Sequence, residues 1–116
     1  QLYLRKSIEL CRENGSEVVL LSVPSYDAWN TKKHNSLKDM ADKNNVPFLD
    51  LNLILEKNMN WKKDTPDGTH LNITGAKKVS TWIGAYLNKN YDLKDHREDP
   101  AYVQWKEDLK IYEKNN

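Results

Sequence analysis

Val18-Val19-Leu20-Leu21-Ser22-Val23-Pro24 is the stretch on which the reading of the fold turns. The run is continuous, apolar and β-branched, without polar alternation. That pattern suits a strand covered on both faces in a parallel sheet. Pro24 ends it, because proline offers no N–H to a ladder. A shorter run, Pro47-Phe48-Leu49-Asp50-Leu51, reads as a second strand. Between the two, residues 32–43 read as a helix with Leu37, Met40 and Ala41 inward and lysines outward. Asn44-Asn45 can take the left-handed cap that stops it. Upstream, residues 2–14 read as a helix with Leu4, Ile8 and Cys11 on one stripe and Asn14-Gly15 as its stop.

Downstream, Asn52 to Pro66 is mostly connection, with a helical turn at Leu53 to Lys57. Asn72 is placed to cap a third helix over 73–89, whose buried stripe is Ala76, Val79, Ile83 and Tyr86 or Leu87. The tail restarts at Asp99-Pro100, a cap followed by proline at the first helical position. Tyr102, Trp105, Leu109 and Tyr112 then share one aromatic-rich face, most simply core packing. The order is α/β, with crossovers long enough for parallel pairing. Two parallel strands make a thin sheet, and the first helix has no strand before it. Both points predict that N-terminal strands belong with this chain and are supplied from outside these residues. If the sheet is absent, the Tyr102/Trp105/Leu109/Tyr112 face is left open to self-association.

At 116 residues the chain suffices for one domain. Its hydrophobic share is 38% and its mean hydropathy -0.88, so the core is modest. Lys+Arg number 18 against 17 Asp+Glu, so no field of one sign favours nucleic acid. The longest apolar run, Val18 to Leu21, is too short to span a bilayer. No signal peptide is visible, and the chain opens at Gln1 rather than Met, as a fragment or a processed product would. A single cysteine, Cys11, allows no internal disulfide.

The chemistry concentrates in Asp64-Thr65-Pro66-Asp67-Gly68-Thr69-His70-Leu71-Asn72-Ile73-Thr74-Gly75. Asp67 and His70 lie three apart, with Gly68 between them to permit a tight bend. A carboxylate beside an imidazole fixes the ring tautomer and stabilises the imidazolium that forms on protonation. The pair is a general base and its orienting acid, without a nucleophile. Two other readings stay open: an Asx-turn with a histidine capping the third helix, and a metal site joining Asp67, His70 and His34 or His96, for which no paired spacing speaks.

Asp67-Gly68-Thr69-His70-Leu71-Asn72, then Gly75-Ala76 and an amphipathic helix, resembles the last conserved block of the SGNH/GDSL hydrolase family. The strand ending in Ser-Val-Pro-Ser and the short strand Pro47–Asn52 resemble the two strands preceding that block. The resemblance covers about residues 1–90 and corresponds to the C-terminal part of a family domain. It implies a flavodoxin-like, three-layer α/β/α fold with a parallel sheet, present here as its C-terminal portion over 1–91. A charged linker and helical extension would follow over 92–116. Asp95-His96-Arg97-Glu98-Asp99 is similar to an extension in some bacterial members, and reads more simply as a solvated linker and helix cap.

The family implies a Ser-His-Asp triad in which His70 is the general base and Asp67 orients it, with no cofactor and no metal. The nucleophile motif, Gly-Asp-Ser, has no counterpart here, and the oxyanion-hole blocks precede the region covered. Ser22 and Ser25 lie near a strand end, but nothing around them resembles a nucleophile elbow. Tyr26 and Trp29 either line an acyl or sugar pocket or pack at the base of their loop. The implied activity is esterase or acyl-hydrolase chemistry on acyl, chiefly acetyl, esters of carbohydrate or lipid. The implied partners are that ester and the missing N-terminal part of the domain. Two alternatives are an O-acetyltransferase for cell-surface polysaccharide and a non-catalytic assembly module. The residues carry no address; the resemblance leans toward an extracytoplasmic or cell-surface setting.

Overall fold

The computed structural model describes residues 2–115; Gln1 and Asn116, the ends of the two segments read above, lie outside them. The elements are α1 (Leu2–Glu13), β1 (Leu20–Ser22), α2 (Thr31–Asn44), β2 (Phe48–Asp50), α3 (Leu51–Ile54), α4 (Trp61–Asp64), α5 (Ile73–Asn90), a 3-10 turn (Pro100–Tyr102) and α6 (Val103–Lys114). β1 and β2 pair in parallel, with Leu20 opposite Phe48, Leu21 opposite Leu49 and Ser22 opposite Asp50. The protein is therefore mixed α/β with a small parallel sheet, as the two apolar runs predict. The chain divides into two compact units, Gln1–Val79 and Ser80–Asn116.

In the first unit the core gathers Ile8 of α1, Leu20 of β1, Ala41 of α2 and Val46, with Leu4, Val18 and Phe48 packed against it. This corrects the expectation that β1 is covered on both faces. Leu20 and Ser22 are buried, whereas Leu21 is 38% exposed and Val23, just past the strand, 46%. Side chains alternate across a strand, so helices packed on one face leave the other open. Cys11 is a second correction: it is exposed, not inward. The last turn of α1 makes a polar contact instead, Arg12 Nη2 donating to the carbonyls of Asn44 (2.8 Å) and Asn45 (3.0 Å).

The predicted stops and starts hold. Asn45 adopts the left-handed conformation at φ 51° and closes α2. Asn72 Oδ1 accepts from Gly75 N at 3.0 Å and caps α5. Asp99 accepts from Ala101 N at 3.0 Å ahead of Pro100. The helical turn placed at Leu53 to Lys57 falls earlier, at Leu51–Ile54, because Asp50 caps it through the N–H of Asn52. Among the described residues no helix is long and apolar enough to cross a membrane.

In the second unit Tyr102 is half-buried, but Trp105, Leu109 and Tyr112 are 71%, 54% and 51% exposed. The face read as core packing is thus largely open to solvent. Trp105 and Leu109 line a shallow groove with Leu87 and Leu93. Among the described residues of this unit no strand lies to cover it.

Candidate active site

The Asp67–His70 turn sits between two loops that hold its backbone. From one side Asp27 N donates to Gly68 O at 2.8 Å, and Ser25 Oγ to Thr69 O at 3.0 Å. From the other, Asn72 N donates to Asp64 O at 2.9 Å and Asn72 Nδ2 to Lys63 O. Gly68 is required at its position. Its φ is +76°, and a Cβ there would lie 1.8 Å from Asp27 Oδ2.

Within the turn, Asp67 Oδ1 accepts the backbone N–H of Thr69 (2.9 Å) and of His70 (2.7 Å). Asp67 Oδ2 lies 2.7 Å from His70 Nδ1. The His70 N–H, then that of Thr69, then the ring hold the Asp67 carboxyl well below the usual range. An ionised carboxylate only accepts, so Nδ1 carries the proton and Nε2 is left as the acceptor. The His70 side chain is 83% exposed, so Nε2 is reachable from solvent. The arrangement can take a proton from a hydroxyl brought to it.

Neither nearby serine is that hydroxyl. Ser25 Oγ is committed to Thr69 O, and Ser22 Oγ donates to Asp50 Oδ1 at 2.8 Å. Each of the other histidines has its own carboxylate. His34 pairs with Asp50 and His96 with Asp99 (3.1 Å). Among the described residues no group of three His, Cys, Asp or Glu side chains could hold a metal.

Two buried carboxylates support the turn, and sequence reasoning assigned neither a role. Asp50, 5% exposed, accepts on Oδ1 from Ser22 Oγ, Asn52 N and Asn52 Nδ2. On Oδ2 it meets Trp29 Nε1 (2.9 Å) and His34 Nδ1 (2.6 Å). Burial pushes its carboxyl up, but the bonds from His34, Asn52, Ser22 and Trp29 outweigh burial and leave it lowered. Asn52 Oδ1 in turn accepts from Ser25 N at 2.8 Å, which links Asp50 to the loop clamping the turn. The signal in the sequence was a carboxylate inside an otherwise apolar strand, which burial obliges to find donors. Trp29, one of the two loop aromatics, joins this network through its indole N–H.

Asp64, 1% exposed, accepts on Oδ2 from Lys78 Nζ (2.6 Å) and Asn60 N (2.7 Å). Burial raises its carboxyl, and the Lys78 and Asn60 hydrogen bonds with the charges of Lys78 and Lys63 bring it below the usual value. Gly75 passes so close that a Cβ there would meet Asp64 O at 2.7 Å. The missed helical turn α4 was signalled by Asn60, whose Oδ1 caps it through Lys63 N at 3.2 Å.

Comparison with protein-family models, with curated proteins and with solved structures gave no match.

Proposed function

We propose that the chain is the C-terminal portion of an SGNH/GDSL-type serine esterase, in which Asp67 and His70 are the acid and base of a Ser-His-Asp triad. The fold in this reading is part of a three-layer α/β/α domain, and a polypeptide segment outside these residues supplies the serine. The observation that carries the reading is the geometry of one pair: Asp67 Oδ2 at 2.7 Å from His70 Nδ1, with Asp67 Oδ1 pinned by two backbone N–H groups. The exposed Leu21 and Val23 support it as well, since they offer an apolar sheet face to the second helical layer of such a domain.

In the mechanism, His70 Nε2 takes the proton from the serine as its oxygen attacks the acyl carbonyl. Asp67 stabilises the imidazolium that results. The tetrahedral intermediate collapses to an acyl-serine, and His70 returns the proton to the departing alcohol. Water then gives its proton to His70 and attacks the acyl-serine, and the serine leaves reprotonated as the carboxylic acid is released. A sugar hydroxyl in place of that water makes the same site an O-acetyltransferase.

The test is hydrolysis of a short-chain nitrophenyl ester by the full-length polypeptide, wild type against His70→Ala. A loss of about a thousandfold or more in kcat fits the triad. Equal rates remove the catalytic reading and leave a non-catalytic assembly module. The chain of 116 residues by itself is expected to be inactive for want of a nucleophile; turnover abolished by Ser25→Ala would overturn that.

A further inference from the structure

A cleft of about 450 Å³ adjoins the Asp67–His70 turn, with Gly68 of that turn in its wall. Its other walls include Tyr26, Asp27, Trp61 and Lys62. The Tyr26 and Trp61 rings lie 5.7 Å apart between centroids and are inclined by 37°. Tyr26 is 63% exposed although it is a large aromatic.

The backbone beneath both rings is fixed in advance. Trp61 opens α4, whose backbone is locked by Thr65 Oγ1 on Trp61 O (2.7 Å) and by Asn60 N on the buried Asp64. Tyr26 is set by its neighbour Asp27, whose N–H is bonded to Gly68 O. The rims of the cleft are polar and uncommitted: the Asp27 carboxylate and the Lys62 ammonium have no hydrogen-bond or ion-pair partner among the described residues.

We infer that this cleft is a subsite for the sugar moiety of an acyl-sugar ester, with Tyr26 and Trp61 as its stacking surface and Asp27 and Lys62 reading hydroxyl groups. A pyranose presents an apolar C–H face that matches an aromatic ring and an equatorial belt of hydroxyls that needs donors and acceptors at the edge. An acyl chain needs apolar walls throughout and leaves the Asp27 carboxylate desolvated without a partner. Rings on a backbone already fixed lose little freedom on binding. Because Gly68 is two residues from His70 in one tight turn, a sugar seated here lies against the same turn that carries the imidazole. The assignment rests on the esterase reading for its orientation, but the binding itself does not require turnover.

The experiment titrates the full-length polypeptide with cello-, xylo- and N-acetylchito-trisaccharides and, separately, octanoate, following by NMR the indole N–H signal of Trp61, assigned by its loss in Trp61→Ala. The expected result is a saturable shift at Trp61 with at least one trisaccharide. By calorimetry, which does not depend on the Trp61 signal, Trp61→Ala should weaken that affinity about tenfold, and Tyr26→Ala, which changes an exposed ring and leaves the fold intact, severalfold. His70→Ala should bind as wild type does. If no trisaccharide moves Trp61, if octanoate alone does, or if both ring variants keep full affinity, the subsite is overturned. Trisaccharide binding alongside turnover indifferent to His70 would overturn the triad and leave the subsite standing. Turnover dependent on His70 with no trisaccharide bound would overturn the subsite alone.

Discussion

His34 Nδ1 lies 2.6 Å from Asp50 Oδ2, and this pair repeats the acid–imidazole geometry of Asp67 and His70 in the opposite environment. Asp50 is buried and surrounded by donors, whereas Asp67 is an exposed side chain whose bonds are all within its own turn. The first pair is therefore built for stability and the second for access. Asp50→Asn turns one acceptor oxygen into a donor that faces existing donors, and should cost about 2–3 kcal/mol of stability in urea unfolding. Asp67→Asn, on an exposed turn, should leave the unfolding midpoint nearly unchanged. Equal costs for the two would undo this division of roles.

Asp50 and Asp64 should also make the fold acid-sensitive. Both carboxyls sit below the ordinary value of 3.8 in the folded chain. Their contribution is then complete above the unfolded pKa, and is lost as pH falls through the folded one, because the unfolded chain takes up the protons first. The urea midpoint should drop as pH falls below the ordinary carboxyl value of 3.8, and Asp64→Asn should flatten that drop. Lys78→Met keeps the aliphatic stem but strands a buried charge. It should cost about 2 kcal/mol at neutral pH, less than a fully buried pair because the Lys78 end is partly in solvent. A midpoint independent of pH in the wild type would contradict the assignment.

Gly15 and Gly68 both have positive φ, at +74° and +76°, but only Gly68 has a side chain against it. Gly15→Ala should cost about 1 kcal/mol, the backbone term alone. Gly68→Ala adds the displacement of Asp27 and should cost about 2 kcal/mol. On the proposed esterase reading it should also lower kcat for ester hydrolysis by the full-length polypeptide, since Asp27 N–H anchors the turn that carries His70. Equal stability losses at the two sites would show that Asp27 moves aside freely.

Local signals were readable wherever one residue type answers one local need. Asn45 in the left-handed region, Asn72 and Asp99 as caps and Gly68 in the turn are of this kind. So is the Asp67–His70 pair, because three residues of chain suffice to bring it together. Coverage was not readable, because it depends on what lies across a face: β1 has the composition of a strand buried on both sides and receives cover on one. The same limit hid Asp50 and Asp64. Each looked like an ordinary polar residue until distant donors, His34 and Trp29 for one and Lys78 for the other, were brought to it by the fold. Trp61 escaped notice because its partner Tyr26 is remote in sequence.

Asn52 is the residue through which the buried network should reach the exposed pair. Its Oδ1 accepts from Ser25 N, its Nδ2 donates to Asp50 Oδ1, and Ser25 Oγ holds Thr69 O. Asn52→Ala removes the middle of that chain, and should cost about 2 kcal/mol while leaving α1 intact. Amide exchange at Thr69 and His70 should then speed up more than exchange in α1, because the turn loses a fixed wall. Ser25→Ala cuts only the last link and should accelerate the same two amides with a smaller loss of stability. On the proposed esterase reading, both changes should lower kcat about tenfold with KM little altered, as expected when a base is loosened rather than removed. Exchange that rises uniformly through the first unit would mean that Asn52 stabilises the fold without positioning the turn.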